Sequence, residues 1–289
     1  MFLPRKLLEK RLHQILAEDV GQGDITTSLT IPMNATAEAE ISVKERGVIA
    51  GMEESKVLLE SLGLEVKILV ADGKTVEAGT VLVKILGSAQ AILSTERTVL
   101  DIVSRMSGIS TATRELVDKV KKAGFKTRVA STRKTAPGLL YFDKKAVSIG
   151  GGDTHRLNLH DLILIKDNHL AVTKNLKETV KRAKKGASFS KKIEVEVANV
   201  KDALDAARAG ADIVMLDNFA PKDANEAMVL LSEEGFHGEV IVEASGGITA
   251  ENILEYASTG VNIVSLGEIT HSAKALDMSM EIVDADLAS

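Results

Sequence analysis

After about residue 110, six short apolar runs recur, and stretches of helical periodicity separate most of them. The runs are Thr127 to Ser131, Leu162 to Ile165, Ile193 to Val197, Ile213 to Leu216, Val240 to Val242 and Asn262 to Leu266. Helical patterns such as Val200 to Ala209, stopped by Gly210, and Thr249 to Ser258, stopped near Gly260, lie between them. Strands apolar on both faces and spaced by helices call for a parallel sheet covered by helices. Six such units suit a closed or nearly closed βα barrel; an open doubly wound sheet is the alternative that periodicity leaves standing.

The chain before this region is of another kind. MFLPRKLLEKRLHQIL has charges directly behind a short apolar start, which reads as an amphipathic helix and not as a signal peptide. Alternating patches at Glu38 to Val43 and Glu65 to Val70, with turn signals at Asp72-Gly73 and Ala78-Gly79, read as a small mixed sheet with hairpins. Between the two regions, Ile92 to Val120 carries apolar residues at three- and four-residue steps and reads as a pair of helices bridging two domains.

Composition narrows the function. The formal net charge of -5 argues against a general nucleic-acid or anionic-membrane surface, and with 3% aromatic residues and no Trp a base-stacking platform is nearly absent. The chain has no Cys, which excludes disulfides, thiolate metal sites and cysteine nucleophiles and fits a reducing cytoplasm. No apolar run reaches the roughly 18 residues that span a bilayer. Against this acidic background, Arg128 to His169 holds seven Lys or Arg and four Asp, with three of the six His. The cations stand at the ends of apolar runs and not at helical spacing, as expected of a site for an anionic small molecule.

In a barrel the chemistry belongs to the strand ends, and the polar residues gather there. Arg133 and Lys134 follow the first run, Lys166 closes the second, Glu196 lies in the third and Asp217 ends the fourth. Ser245, Gly246 and Gly247 follow the fifth run and Gly267 the sixth, each before a helix, where barrels hold phosphate on helix amino termini. Taken singly, a Gly-Gly is more often a plain loop, and Glu196 or Asp217 could be a helix cap. Their joint placement after successive strands favours a site. His155 and His169 are too few and too badly spaced for a three-ligand zinc site, and hydrogen-bonding loop residues are an equal reading. Gly150 to Gly152 read as a tight loop.

The segments ILSTERT, SGISTAT, TRKTAPGL, KKAV, GGGDTHRLNLHD, LIKDNH, EVEV, LDNF, EASGGI and SLGEITHS, with EDVGQGDITT near the amino terminus, resemble the quinolinate phosphoribosyltransferases from about residue 18 to about 282. The resemblance implies an α/β fold: an incomplete or irregular βα barrel (TIM-like) over residues 111–270, and a smaller α+β sandwich domain over residues 1–110 joined by the carboxyl-terminal segment 271–289. It implies transfer of ribose 5-phosphate from phosphoribosyl pyrophosphate to quinolinate with loss of carbon dioxide, in de novo NAD synthesis in the cytoplasm, with Mg2+ as cofactor. By motif position Arg133, His155, Arg156 and Lys166 would bind quinolinate. Arg97 would join them from the neighbouring subunit of a homodimer, although spacing alone reads it as an exposed residue paired with Glu96 or Asp101. Lys134, Ser245, Gly246, Gly247, Gly267 and His271 would bind the sugar diphosphate. Glu196 and Asp217 would stabilise the cationic sugar and hold the metal, with Lys134 as the third catalytic residue. The competing readings are a transferase acting on nicotinate, a barrel protein of the molybdenum-transport type, and a metabolite-binding barrel without this activity. Two positions depart from the family pattern: Leu140, where many relatives have Arg, and Glu268, where a small residue is common.

Overall fold

The computed structural model describes residues 3–287. Two compact units share the chain: one takes in the residues up to Ala112, Tyr141–Gly151 and those from Ala273 onward, and the other Thr113–Leu140 and Gly152–Ser272.

In chain order the first unit begins with α1 (Arg5–Val20), α2 (Ile25–Thr30), β1 (Thr36–Val43), β2 (Gly47–Val48), α3 (Met52–Ser61), β3 (Glu65–Ile68), β4 (Thr75–Val76) and β5 (Val81–Ser88). Helix α1 starts directly after Pro4 and buries Leu8, Leu12 and Leu16, one residue per helical turn. Strand β1 alternates strictly: Ala37, Ala39, Ile41 and Val43 are buried and the residues between them are not, so the sheet covers its apolar side on one face only. The sheet order is β12-β1-β5-β3, all antiparallel, and β12 (Met278–Asp286) pairs along the whole of β1, from Thr36 opposite Asp286 to Val43 opposite Met278.

One continuous helix, α4 (Ala89–Lys122), replaces the expected pair. Gly108 interrupts the pattern in sequence, yet it serves close packing and not a break. A Cβ there would stand 2.0 Å from the Lys274 carbonyl oxygen, so only glycine admits that backbone. One residue earlier, the buried Ser107 hydroxyl accepts from Ala50 N–H at 3.0 Å and donates to Ala50 C=O at 3.1 Å, tying α4 to the loop before α3.

Residues Tyr141–Gly151, nearly all of α5 (Leu140–Gly150), are held in this unit by buried charge pairs. The Arg105 guanidinium donates a two-pronged pair to Asp143 at 2.8 and 2.9 Å, and Lys145 binds Glu53 and, at 2.7 Å, Glu54. The Tyr141 hydroxyl donates to the same Glu54 at 3.1 Å. Two Lys of the basic segment, Lys144 and Lys145, are thus buried in this unit.

The second unit is a six-stranded parallel sheet in the order β6-β11-β10-β9-β8-β7. Its strands are β6 (Arg128–Ser131), β7 (Ile163–Ile165), β8 (Ile193–Val197), β9 (Ile213–Asp217), β10 (Ile241–Ser245) and β11 (Ile263–Leu266). Helices α6 (Asp167–Thr173), α7 (Leu176–Gly186), α8 (Val200–Ala209), α9 (Pro221–Glu233) and α10 (Ile253–Ser258) supply the crossovers, and α11 (Glu268–His271) follows the last strand. The first strand pairs with the last, as in a barrel, while β6 and β7 stand at the two ends of the order. The opening falls where the chain leaves β6 to contribute α5 to the other unit. The fold is an incomplete βα barrel.

Replacing Gly108 with Ala is expected to destabilise the protein by roughly 1–3 kcal/mol through overpacking against the Lys274 carbonyl, read from the midpoint of urea unfolding. An unchanged midpoint would show that this backbone can move apart.

Candidate active site

Parallel strands deliver their last residues to one edge, and all six do so here. A cavity of about 620 Å³ opens at that edge, among residues of the second unit only. Arg133 and Lys134 enter it from the loop after β6, His155 and Arg156 from the loop before β7, and Lys166 from the end of β7. Glu196 of β8 and Asp217 of β9 face them, and Ser245, Gly246 and Gly247 close the side at the end of β10. A second cavity of about 520 Å³ lies at the opposite strand ends, around Arg128, Ile241 and Ile263, and gathers no comparable set of charges.

Electrostatics make the first cavity a receptor for anions. None of the ion pairs among the described residues engages Arg133, Lys134 or Arg156. Burial and then the positive charge of Arg133 lower the affinity of the Arg156 guanidinium for its proton, so the two cations stand close enough to repel. Lys166 is satisfied by Glu196, Nζ to Oε2 at 2.5 Å, and Asp217 Oδ2 accepts from Asn218 Nδ2 at 2.8 Å.

The turn after β10 depends on glycine. Gly246 has φ +89°, and a Cβ there would lie 2.3 Å from Asn218 Oδ1 and 3.0 Å from the Asn218 backbone nitrogen, whose N–H donates to Ser245 C=O at 2.8 Å. Gly247, at φ +63°, has open space around it. Helix α10 begins only at Ile253, so backbone amides of the turn, and not a helix terminus, stand at this side of the cavity. Ser265 Oγ donates to Ser245 Oγ at 2.9 Å. Gly267 and His271 lie outside the lining but beside Lys134: a Cβ at Gly267 would come 3.0 Å from both Lys134 Cδ and His271 Cδ2. Thr270 fixes the loop by donating from Oγ1 to Lys134 C=O at 2.8 Å.

Both domain models of one family match the chain: quinolinate phosphoribosyl transferase, N-terminal domain, over residues 24–107, and its C-terminal domain over residues 109–281. The chain belongs to the quinolinate phosphoribosyl transferase family. It is 45% identical over 276 residues to a probable nicotinate-nucleotide pyrophosphorylase (carboxylating) of Methanocaldococcus jannaschii, covering 95% of this chain and 96% of that one. To the nicotinate-nucleotide pyrophosphorylase (carboxylating) of Rattus norvegicus it is 35% identical over 249 residues, covering 86% and 83%. The solved structure of the nicotinate-nucleotide pyrophosphorylase from Francisella tularensis superposes with a TM-score of 0.89 at 34% identity, over 97% of this chain and 98% of that one.

Of the family positions named from sequence, the cavity brings together Arg133, Lys134, His155, Arg156, Lys166, Glu196, Asp217, Ser245, Gly246 and Gly247. Arg97 belongs to the other unit, on α4, where it is exposed and pairs with Asp101 at 3.5 Å. His169 is an exposed capping residue whose Nδ1 accepts from Lys166 N–H at 2.9 Å. The sequence reading passed over Glu194 and Glu243, both fully buried in strands β8 and β10. The signal was available: a carboxylate in the middle of a strand covered on both faces is costly unless it has a purpose.

These two acids close on His155, with Nε2 at 3.1 Å from Glu243 Oε2 and 3.6 Å from Glu194 Oε1. Burial alone would lower the imidazole pKa, but the contacts with Glu194 and Glu243 outweigh it and push it up to about 10. Burial likewise raises the Glu194 carboxyl. On its other side His155 Nδ1 accepts from Arg156 N–H at 2.7 Å, so Nε2 is the nitrogen turned toward the two acids. With the imidazole pKa raised in the fold, protons bound there are lost as pH rises. The stability they contribute is full below the ordinary imidazole range and disappears toward pH 10. The difference in unfolding midpoint between the native chain and His155→Gln should therefore shrink between pH 6.5 and about 10. A constant difference over that range would show that the proton is held elsewhere.

Proposed function

We propose that this protein transfers ribose 5-phosphate from phosphoribosyl pyrophosphate to the ring nitrogen of quinolinate and releases carbon dioxide, yielding nicotinate mononucleotide and pyrophosphate for NAD synthesis. The observation that carries this reading is the pair Arg133 and Arg156, two mutually repelling guanidinium groups lining one cavity with Lys134, Lys166, Glu196 and Asp217. Quinolinate has two adjacent carboxylates on a planar ring, and guanidinium forks match such groups in geometry and charge. A bound dianion also removes the repulsion between the two arginines.

The opposite side of the cavity suits the sugar diphosphate. As the ring nitrogen attacks the anomeric carbon, the bond to pyrophosphate breaks and positive charge builds on the sugar. Glu196 and Asp217, on neighbouring strands, are placed to stabilise that charge, while Lys134 and Lys166 attract the leaving diphosphate. The Gly246-Gly247 turn, which with Ser245 lines this side, suits the 5-phosphate. After transfer the ring nitrogen is cationic and accommodates the electron pair left when the neighbouring carbon–carboxylate bond breaks. Carbon dioxide departs, and a proton takes its place.

Mg2+ belongs to the same proposal. Glu196 and Asp217 each have one oxygen engaged, by Lys166 and by Asn218, and offer the other as a hard donor. One or two carboxylates plus substrate phosphates are what this ion accepts, and when bound it would offset the diphosphate charge. A homodimer with shared sites, at work in the cytoplasm, completes the reading. Arg97 is 65% exposed, and its i,i+4 contact with Asp101 is of a kind worth only a few tenths of a kcal/mol, so the guanidinium is free to exchange partners. The absence of Cys suits a reducing compartment.

Incubation with phosphoribosyl pyrophosphate, Mg2+ and either quinolinate or nicotinate should give mononucleotide and carbon dioxide from quinolinate alone. Product from nicotinate alone would move the chain to the related transferase reading, and no turnover with either to the binding-protein reading. Arg133→Ala and Arg156→Ala should each weaken quinolinate binding by about 2–5 kcal/mol, the cost of leaving a desolvated carboxylate unpaired; unchanged affinity in both would remove the carboxylate clamp. Mixed dimers of Arg97→Ala and Lys134→Ala subunits should recover activity that neither variant has alone. No recovery would place each site within a single chain.

A further inference from the structure

Residue 155 is anchored more completely than a ligand-binding side chain needs to be. Its backbone stands in the left-handed region at φ 51°, uncommon for a residue other than glycine, and its N–H donates to Asp153 Oδ1 at 2.8 Å. Both ring nitrogens are taken inside the protein: Nδ1 by Arg156 N–H at 2.7 Å, Nε2 by Glu243 Oε2 at 3.1 Å. Neither is left to donate to a ring carboxylate. His155 lines the cavity with both ring nitrogens engaged in this way.

The acids beneath it carry an unusual burden. Glu243 and Glu194 are fully buried, and Glu243 Oε1 and both Glu194 oxygens have no hydrogen-bond partner. Carboxylates buried in this way cost stability, so their presence at the floor of the cavity calls for a return in geometry. The chain of contacts leads to one outcome: Glu243 fixes the imidazole, the imidazole fixes the Arg156 amide, and the amide sets where the Arg156 side chain leaves the loop, close to a like charge on Arg133 that would drive it away.

We infer that Glu243 is a positioning residue, acting through His155 to hold Arg156 beside Arg133 in the carboxylate-binding half of the cavity, with Glu194 closing the ring from strand β8. The inference rests on the quinolinate reading above. It gives Glu243 a role in the substrate affinity of the site and none in the chemistry.

Calorimetric titration of quinolinate and of phosphoribosyl pyrophosphate into the full-length protein provides the test. Glu243→Leu, which keeps bulk but removes the acceptor, should weaken quinolinate binding about tenfold and leave phosphoribosyl pyrophosphate within about twofold. Glu243→Gln, whose amide oxygen still accepts from Nε2–H, should stay within about threefold of the native chain. In an Arg156→Ala background Glu243→Leu should add less than about twofold, because the residue acts through the side chain already removed. If Glu243→Leu does not fold, His155→Ala takes its place in the same cycle. A full tenfold effect persisting without Arg156, equal losses for Gln and Leu, or one equivalent of zinc in the purified protein that Glu243→Gln releases would each overturn the inference. Failure of the native chain to bind quinolinate at all would instead sink the functional reading.

Discussion

Like charges gathered in one place repel, and the active-site edge of this sheet gathers four side-chain cations that only the fold holds together. Arg133, Lys134, Arg156 and Lys166 come from three loops of a parallel sheet whose strands all end at the same edge. Such a cluster persists because the strand ladders fix its loops and because Glu196 and Asp217 stand on the neighbouring strands β8 and β9 opposite. One cation, Lys166, is neutralised within the protein; the other three remain for a ligand. The asymmetry divides the cavity into a half lined by cations without an ion-pair partner and a half lined by carboxylates, as the proposed pairing of a ring diacid with a cationic sugar requires.

Much of this was legible in the chain. The strands β8 and β9 follow the apolar runs almost residue for residue, and α8 ends at Gly210 with a left-handed cap, as its sequence signals. Charges that directly follow an apolar run mark the functional edge in a parallel sheet, which is why Lys166 and Asp217 could be read without coordinates. Burial was less legible. Lys144 and Lys145 belong to the same basic segment as Arg133, yet α5 turns them into the other unit, where Glu53 and Glu54, some ninety residues away in sequence, take up the charge of Lys145. Periodicity is a local signal and says nothing of partners at that separation. Gly108 teaches the same point, since its role in α4 is set by the carbonyl of Lys274.

The least legible part is the set beneath His155. In sequence Glu194 and Glu196 are equivalent, alternate residues of one strand with identical chemistry. The strand's period of two puts both on one face, but depth separates them: Glu196 lies at the open edge against Lys166, and Glu194 lies one layer below, fully buried against the imidazole. The inner residue packs beneath the binding surface and the outer one lines the cavity. A layered barrel interior makes this division general, because successive inward positions along a strand differ in distance from the mouth and hence in dielectric.

The two departures from the family pattern can be judged by the same geometry. Leu140 is the first residue of α5 and is partly buried, and it does not line the cavity; replacing a cation by Leu there leaves the count of charges facing the ligand as it was. Glu268 is exposed at the first position of α11, outside the lining, where an acid meets the positive end of the helix and water. A carboxylate beside a phosphate is unfavourable only when both share a desolvated space. With Glu268 turned to solvent, the repulsion is screened, and the turn at Gly246 and Gly247, together with Lys134, retains the electrostatic character of that side of the cavity.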